Sequence, residues 1–108
     1  MRLLLGGLFM VAASGAFAQD FNQKDFMVAN EAGQIVGGAD LCGYKLDDAK
    51  LEAFMQNKIA NLDDTSRMHF SNVRGTQQVQ LSKMMSDTER KAQCALQAKL
   101  AEKYGLTP

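Results

Sequence analysis

Apolar residues recur at intervals of three and four residues through most of the chain after residue 21, which is the spacing of an amphipathic α-helix. The first such segment spans residues 22–43. Its apolar positions form one stripe: Phe21, Val28, Ala32, Ile35, Ala39 and Cys42. Gly33, Gly37 and Gly38 interrupt this segment, and each costs about 1 kcal/mol relative to alanine in a helix interior. We expect a continuous helix whose glycines allow another helix to approach closely; the alternative is a break near Gly37.

Two further helices are predicted in the middle of the chain. Asp47 is a candidate N-cap for the second helix. The apolar positions of that helix are Leu51, Phe54, Met55, Ile59 and Leu62. The polar residues 61–66 form a turn and a new N-cap, so a third helix is expected over residues 65–84. Gly75 is expected to break that helix or to mark a close contact, and residues 76–81 carry a weak strand signal.

The last helix has a well-defined start and stop. Ser86 and Glu89 have the spacing of a capping box, in which each side chain bonds a free backbone N–H group. Leu96, Leu100 and Tyr104 share one face of this helix, and Gly105 fits a Schellman stop. Together the segments predict an all-α fold, a small bundle of three to four helices.

The first 18 residues have the organisation of a secretory signal peptide. Arg2 supplies the positive charge, residues 3–13 supply the apolar stretch, and Ala18 occupies the position before the cleavage site. The alternative, an N-terminal membrane anchor, would need about 20 apolar residues. We therefore expect cleavage after Ala18, a single mature domain over residues 19–108 without a transmembrane segment, and a periplasmic location.

Cys42 and Cys94 are the two cysteines of the sequence. In an oxidising compartment such a pair is usually a disulfide. A redox pair would normally have the spacing Cys-x-x-Cys, and a thiolate metal site needs three or four ligands. We therefore expect a structural disulfide that joins the first segment to the last helix. This disulfide would close a loop of about 50 residues. Closing such a loop lowers the entropy of the unfolded chain and would stabilise the fold by roughly 4 kcal/mol.

The charges are balanced in number but unevenly distributed along the chain. The sequence has 12 basic and 12 acidic residues, which gives no general electrostatic argument for binding nucleic acid. Residues 19–66 contain 4 basic and 9 acidic groups, whereas residues 67–108 contain 7 basic and 3 acidic groups. In one interpretation the two halves pack together and neutralise each other, or their charges simply face solvent. In the other interpretation they create a dipolar surface that binds an oppositely charged partner or a second copy of the chain.

The candidate chemistry is sparse. His69 is the single histidine, and no motif places a nucleophile or a second acid–base group beside it, so we expect no catalytic residue and no enzyme. Methionine and histidine side chains can bind Cu(I), but methionines at helical spacing more often fill core gaps. The residues in question are Met27, Met55, Met68, His69, Met84 and Met85. We therefore expect no metal and no cofactor.

Two acidic pairs, Asp47-Asp48 and Asp63-Asp64, could be considered as Ca²⁺ ligands. Each pair stands where a helix should begin, and neither has the ligand spacing of an EF-hand loop. Capping of the helix N-terminus explains both pairs without a metal ion.

A set of cysteine and aromatic positions carries a family resemblance. The positions are Cys42-Gly43-Tyr44, the helix over residues 46–54, Cys94 and Tyr104-Gly105. In this layout the chain resembles small helical periplasmic proteins of Gram-negative bacteria with one disulfide, among them acid-stress chaperones of the HdeA type. The resemblance covers about half of the mature chain and implies structural roles for Cys42 and Cys94.

Acid would change the charge of the mature chain strongly. Its 12 carboxylates have ordinary pKa values of about 4. Once they are protonated and His69 is charged, the formal charge moves from −1 towards +12. Repulsion of that size could loosen a small domain and expose its apolar faces.

These observations favour a non-enzymatic exported protein that acts through protein–protein interaction in the cell envelope. The alternative function is an acid-activated periplasmic chaperone. The partner is an unidentified protein or a second copy of the chain. The candidate interaction face consists of Phe54, Met55, Phe70, Met84, Met85 and Tyr104.

Overall fold

The computed structural model describes residues 22–108, and the predicted signal peptide lies outside them. Within that range the chain forms four α-helices and one 3₁₀ turn, with no β-strand. The elements are α1 (Gln23–Cys42), α2 (Asp48–Asn57), the 3₁₀ turn (Ile59–Asn61), α3 (Asp64–Lys83) and α4 (Asp87–Lys103). The predicted all-α bundle is confirmed.

Helix α1 is continuous and forms the centre of the bundle. It begins at the N-cap Asn22 and ends at Gly43, which has the left-handed φ of 81° that glycine adopts without strain. A Cβ on Gly33 would lie 2.8 Å from the Cβ of Val73. The glycines therefore allow close approach of another helix, as expected, and the alternative of a break near Gly37 is wrong.

The two neighbours of α1 run in opposite directions. Gly33 lies beside Val73 and Gly37 lies beside Gln77, so α3 runs parallel to α1. The disulfide joins Cys42 at the end of α1 to Cys94 in the first half of α4, while Glu31 near the middle of α1 contacts Tyr104 after the end of α4. Helix α4 therefore runs antiparallel to α1.

The segment between α1 and α3 returns the chain to the beginning of α1. Asp47 caps α2, as predicted, and the 3₁₀ turn follows. Ile59 and Leu62 pack with Phe70 of α3 and with the small residues Ala29 and Ala32 of α1 in one core cluster. Two alanines in α1 leave room for the larger side chains of the turn and of α3.

Helix α3 is continuous through Gly75, so the predicted break there is wrong. A Cβ at this position would meet nothing within 4 Å, so Gly75 does not mark a close contact either. The weak strand signal at residues 76–81 is also wrong, since they are helical. Packing of α3 along α1 outweighs the helix penalty of about 1 kcal/mol for one exposed glycine.

Helix α4 begins and ends as its sequence predicts. The capping box between Ser86 and Glu89 is present. At the C-terminal end the Leu106 N–H donates to Ala101 and the Gly105 N–H donates to Glu102, which is the Schellman pattern. Leu106 is then buried in a second core cluster with Ile35 and Ala101.

Candidate functional site

A buried polar cluster lies beneath the disulfide. The Tyr44 hydroxyl donates to the backbone carbonyl of Ile35, and the side-chain amide of Gln97 lies 3.2 Å from the same hydroxyl. Gln97 is fully buried. The Tyr44 hydroxyl has one hydrogen, which it donates to the Ile35 carbonyl. The buried amide donor of Gln97 is therefore satisfied when the Gln97 NH₂ group faces the Tyr44 oxygen.

This cluster also explains the third glycine of α1. A Cβ on Gly38 would fall 2.1 Å from the end of the Gln97 side-chain amide. Burial raises the pKa of the Tyr44 phenol, so Tyr44 stays protonated and acts as a hydrogen-bond donor to the backbone. The cluster is therefore a structural joint between α1, α4 and the loop after α1. Sequence reasoning missed Gln97, since a glutamine in a polar helix gives no sign of burial.

His69 lies in a shallow cavity near the beginning of α1. Its ring stacks on Phe26 with centroids 3.9 Å apart, and its Nε2 lies 2.9 Å from the Oδ1 of Asn30. The amide oxygen is an acceptor, so Nε2 carries the hydrogen. The cavity has a volume of about 370 Å³ and is also lined by Met27 and Glu31. These contacts hold the imidazole against α1.

Tyr104 and Glu31 form a polar contact on the α4 side of α1. The Tyr104 hydroxyl donates to the Glu31 carboxylate across 2.5 Å. Burial raises the pKa of Tyr104, and the hydrogen bond and negative charge of Glu31 raise it further. The contact fixes the end of α4 on α1 and keeps the phenol protonated.

The acidic pairs stand at helix starts. Asp47 accepts from the Lys50 backbone N–H, and Asp63 accepts from the Ser66 backbone N–H. The second residue of each pair, Asp48 or Asp64, lies in the first turn of its helix. Among residues 22–108 there is no group of three or more His, Cys, Asp or Glu residues placed to hold a metal ion.

The six residues of the predicted interaction face occupy different environments. Phe70 is buried in the first core cluster, and Met55 is half-buried against the same cluster. Phe54 and Tyr104 are half-buried with ring centroids 5.6 Å apart. Met84 and Met85 lie apart from these four, in the connection between α3 and α4, where Met84 is 72% exposed.

Other large apolar side chains are exposed that the sequence analysis did not select. Within the described residues, the exposed large apolar side chains besides Met84 are Met27, Leu41, Met68, Val79 and Leu96. Met27 and Leu41 belong to α1, the helix that is otherwise most covered by its neighbours. Both residues lie outside the predicted apolar stripe of α1, and this position could have indicated from the sequence that they are exposed.

Among residues 22–108, direct ion pairs cancel little of the uneven charge of residues 19–66 and 67–108, because a single pair, Asp64–Arg67, joins the two halves. Within the described part of the chain, each ion pair joins residues three apart on one helix: Asp64–Arg67, Asp87–Arg90 and Lys99–Glu102. Exposed pairs of this kind contribute little to stability. Ion pairs therefore leave most of the charge difference between these two stretches of sequence uncancelled.

No protein-family model matches the chain, and no curated protein or solved structure shows significant similarity to it. Residues 22–108 contain no helix with the length and apolar character needed to cross a membrane.

Proposed function

We propose that the mature chain is a small exported protein of the periplasm, without catalytic activity, that acts by binding another protein through apolar side chains on its surface. The observation that supports this most is the exposure of Met84, 72%, in the connection between α3 and α4. Met85 stands beside it in the sequence. Methionine side chains are flexible and polarizable, and they adapt to the surface of a partner protein.

Export is supported by two independent features. Residues 1–18 have the pattern of a cleavable signal peptide. The disulfide between Cys42 and Cys94 is of the kind that persists in oxidising compartments such as the periplasm.

Site-specific crosslinking in intact cells tests this function. A photoreactive phenylalanine analogue in place of Met84 should give a discrete adduct heavier than two copies of the chain. The control places the same analogue at Gln78, an exposed polar position on α3. The same adducts at both positions would contradict a specific partner at this surface. The absence of any adduct heavier than two copies of the chain would contradict it as well.

The alternative function, an acid-activated chaperone, is supported by the carboxylates that cap two helices. Backbone hydrogen bonds from Ser66 and Ser86 lower the pKa values of Asp63 and Glu89. Protonation in acid removes the charge from both caps and weakens the starts of α3 and α4.

Light scattering distinguishes the two functions. Aggregation of two unrelated client proteins is followed with and without residues 19–108, at neutral pH and after a shift to about pH 3. Suppression in acid alone would favour the chaperone. If aggregation is not suppressed at either pH, the chaperone function is contradicted and binding to a dedicated partner protein remains.

A further inference from the structure

The side of α3 that points away from α1 is uncovered. Phe70, Gln77 and Leu81 are buried on the side of α3 that packs on α1. The opposite side carries five exposed residues at the spacing of one helical face, namely Met68, Asn72, Gly75, Val79 and Ser82. Met68 is 67% exposed and Val79 is 50% exposed. We call these five residues the outer face.

Gly75, in the middle of the outer face, serves no purpose in the packing of the single chain. It costs about 1 kcal/mol relative to alanine in a helix. A Cβ there would meet nothing within 4 Å, and its φ is not positive, so neither packing nor backbone conformation requires glycine. The glycines of α1 stand where another helix comes close, as Gly37 does beside Arg74. Gly75 offers the same close approach to a helix from outside the chain.

The outer face is free of charge along its length and carries opposite charges at its two ends. Asp64 and Lys83 are the first and last residues of α3, and both are exposed. Between them, the charged residues Arg67 and Arg74 lie on the flank nearer α1. Arg67 donates to the Ala60 carbonyl and to Asp64. An uncharged surface with two apolar side chains is therefore bounded by one acidic and one basic end.

These residues are arranged symmetrically about the midpoint of α3. Three pairs of residues stand at equal distances on either side of that midpoint: Met68 and Val79, Asn72 and Gly75, Asp64 and Lys83. The members of each pair are complementary. The first pair is apolar with apolar, the second is a side chain with the gap left by a glycine, and the third is an acidic with a basic group.

We propose that the outer face binds a second copy of this chain, with α3 antiparallel to α3 around a two-fold axis at the helix midpoint. In this arrangement Met68 of one copy packs on Val79 of the other. Asn72 of one copy lies against Gly75 of the other, where no side chain obstructs it. The basic end of each helix lies at the level of the acidic end of the other.

The symmetry favours a second copy over a different protein. A two-fold interface requires that residue i of one copy meets residue j of the other and the reverse, and the three pairs on α3 meet this requirement. A different protein would require no such symmetry. The antiparallel direction follows from the same pairs, because a parallel dimer would set Lys83 against Lys83 and Gly75 against Gly75. Exposed charges of this kind determine direction more than strength.

The size of the outer face sets the expected affinity. From Met68 to Ser82 the helix is about 21 Å long. Contact between two such faces falls at the small end of protein interfaces, which is typical of reversible association. We therefore expect a dimer that forms at micromolar concentrations of the chain. Met84 follows the end of α3 and lies outside the outer face, so this interaction is independent of the partner proposed there.

The first test is the oligomeric state of oxidised residues 19–108. In sedimentation equilibrium the mass should rise from one chain towards two between about 1 µM and about 500 µM. Val79→Asp sets a carboxylate against Met68 of the other copy and should raise the dissociation constant at least about tenfold. Leu96→Asp is the matched control on α4, 52% exposed and outside the outer face, and it should leave the dimer unchanged.

Gly75→Gln separates association from folding. Glutamine is uncharged and has a higher helix propensity than glycine, so the dilute variant should unfold in urea no more easily than the parent. Its side chain would occupy the space that Asn72 of the other copy needs, so the dissociation constant should rise at least about tenfold. If Gly75→Gln dimerises as the parent does, no helix approaches Gly75 and the proposal is wrong.

Crosslinking checks the two-fold geometry. Met68→Cys and Val79→Cys, when mixed, should be joined by a short bifunctional maleimide, which does not react with the native disulfide. Each variant alone should crosslink poorly, because positions 68 and 79 lie at opposite ends of the antiparallel pair. Leu96→Cys is the control for random collision. Efficient crosslinking of Met68→Cys or Val79→Cys with itself would contradict the antiparallel arrangement.

A monomer across the whole concentration range would overturn the proposal, as would a dimer that Leu96→Asp disrupts and Val79→Asp does not. Circular dichroism must show the helical content of the parent in each variant that is scored. A dimer without a heavier adduct at Met84 would support this inference and contradict the proposed function. A heavier adduct at Met84 on a monomeric chain would do the opposite.

Discussion

Gly37 faces the backbone of Arg74 so closely that a Cβ on Gly37 would lie 2.5 Å from the Arg74 carbonyl oxygen. The obstacle is backbone and cannot rotate away. The contact therefore sets the distance between α1 and α3, and a glycine at position 37 is a requirement of the packing.

This contact predicts opposite effects for two glycine substitutions. Gly37→Ala should lower the free energy of unfolding by about 1–3 kcal/mol, because α3 must move away from α1. Gly75→Ala should raise it by about 1 kcal/mol, since alanine has the higher helix propensity and a Cβ there meets nothing. Urea unfolding of the oxidised mature chain measures both. Equal effects in the two variants would contradict the packing argument.

The starts of α2 and α4 and the end of α4 could be predicted because the signals are local, whereas the second helix was predicted to include Ile59 and Leu62 but ends at Asn57. Asp47 and Ser86 are caps whose partners lie three residues away, and Gly105 ends α4 through its own backbone conformation. The effect of Gly75 could not be predicted in this way. Its helix is held by packing against α1, and the sequence does not show which helices pack together.

The surface was harder to predict than the helices. Phe70 and Met84 are both apolar residues of the helix predicted over residues 65–84, yet Phe70 is buried and Met84 is 72% exposed. The difference arises because Phe70 faces α1 and the 3₁₀ turn, whereas Met84 follows the end of α3. Periodicity gives the face on which a residue lies, but not the neighbour that covers it.

The disulfide should account for a large part of the stability. Reduction, or the double substitution of Cys42 and Cys94 by serine, should lower the free energy of unfolding by roughly 4 kcal/mol. Unfolding with and without a reductant measures this, and the double variant should not respond to the reductant. In intact cells the protein should not react with a thiol label before reduction. Labelling without reduction would contradict a formed disulfide.

Stability should fall in acid partly through the caps of α3 and α4. The folded-state pKa values of Asp63 and Glu89 are lowered, so the stabilisation by these carboxylates is present above their ordinary pKa values of about 4. It is lost as the pH falls through the lowered values. Asp63→Asn keeps a capping side chain without a titrating charge, so its stability should depend less steeply on pH between about 5 and 3. Glu89→Gln tests the other cap.

Urea midpoints across this pH range measure the effect. The change in urea midpoint per pH unit should be smaller in each single variant and smaller still in the double variant. The two effects should add because the two caps belong to different helices and act independently. An unchanged slope in the double variant would show that other carboxylates account for the acid sensitivity. The caps would then give no support to an acid-activated function.

The two tyrosines should resist ionisation in alkali. Burial raises the pKa values of Tyr44 and Tyr104, so the neutral phenols are favoured in the folded chain. Their contribution to stability is present below the ordinary tyrosine pKa of about 10 and is lost as the pH rises towards the raised pKa values. Phenolate absorbance of the native protein should therefore lag behind that of the protein in urea. Tyr44→Phe should also lower the free energy of unfolding by about 1–3 kcal/mol, because Ile35 loses its hydroxyl donor. Coincident titration of native and unfolded protein would contradict the burial of both rings.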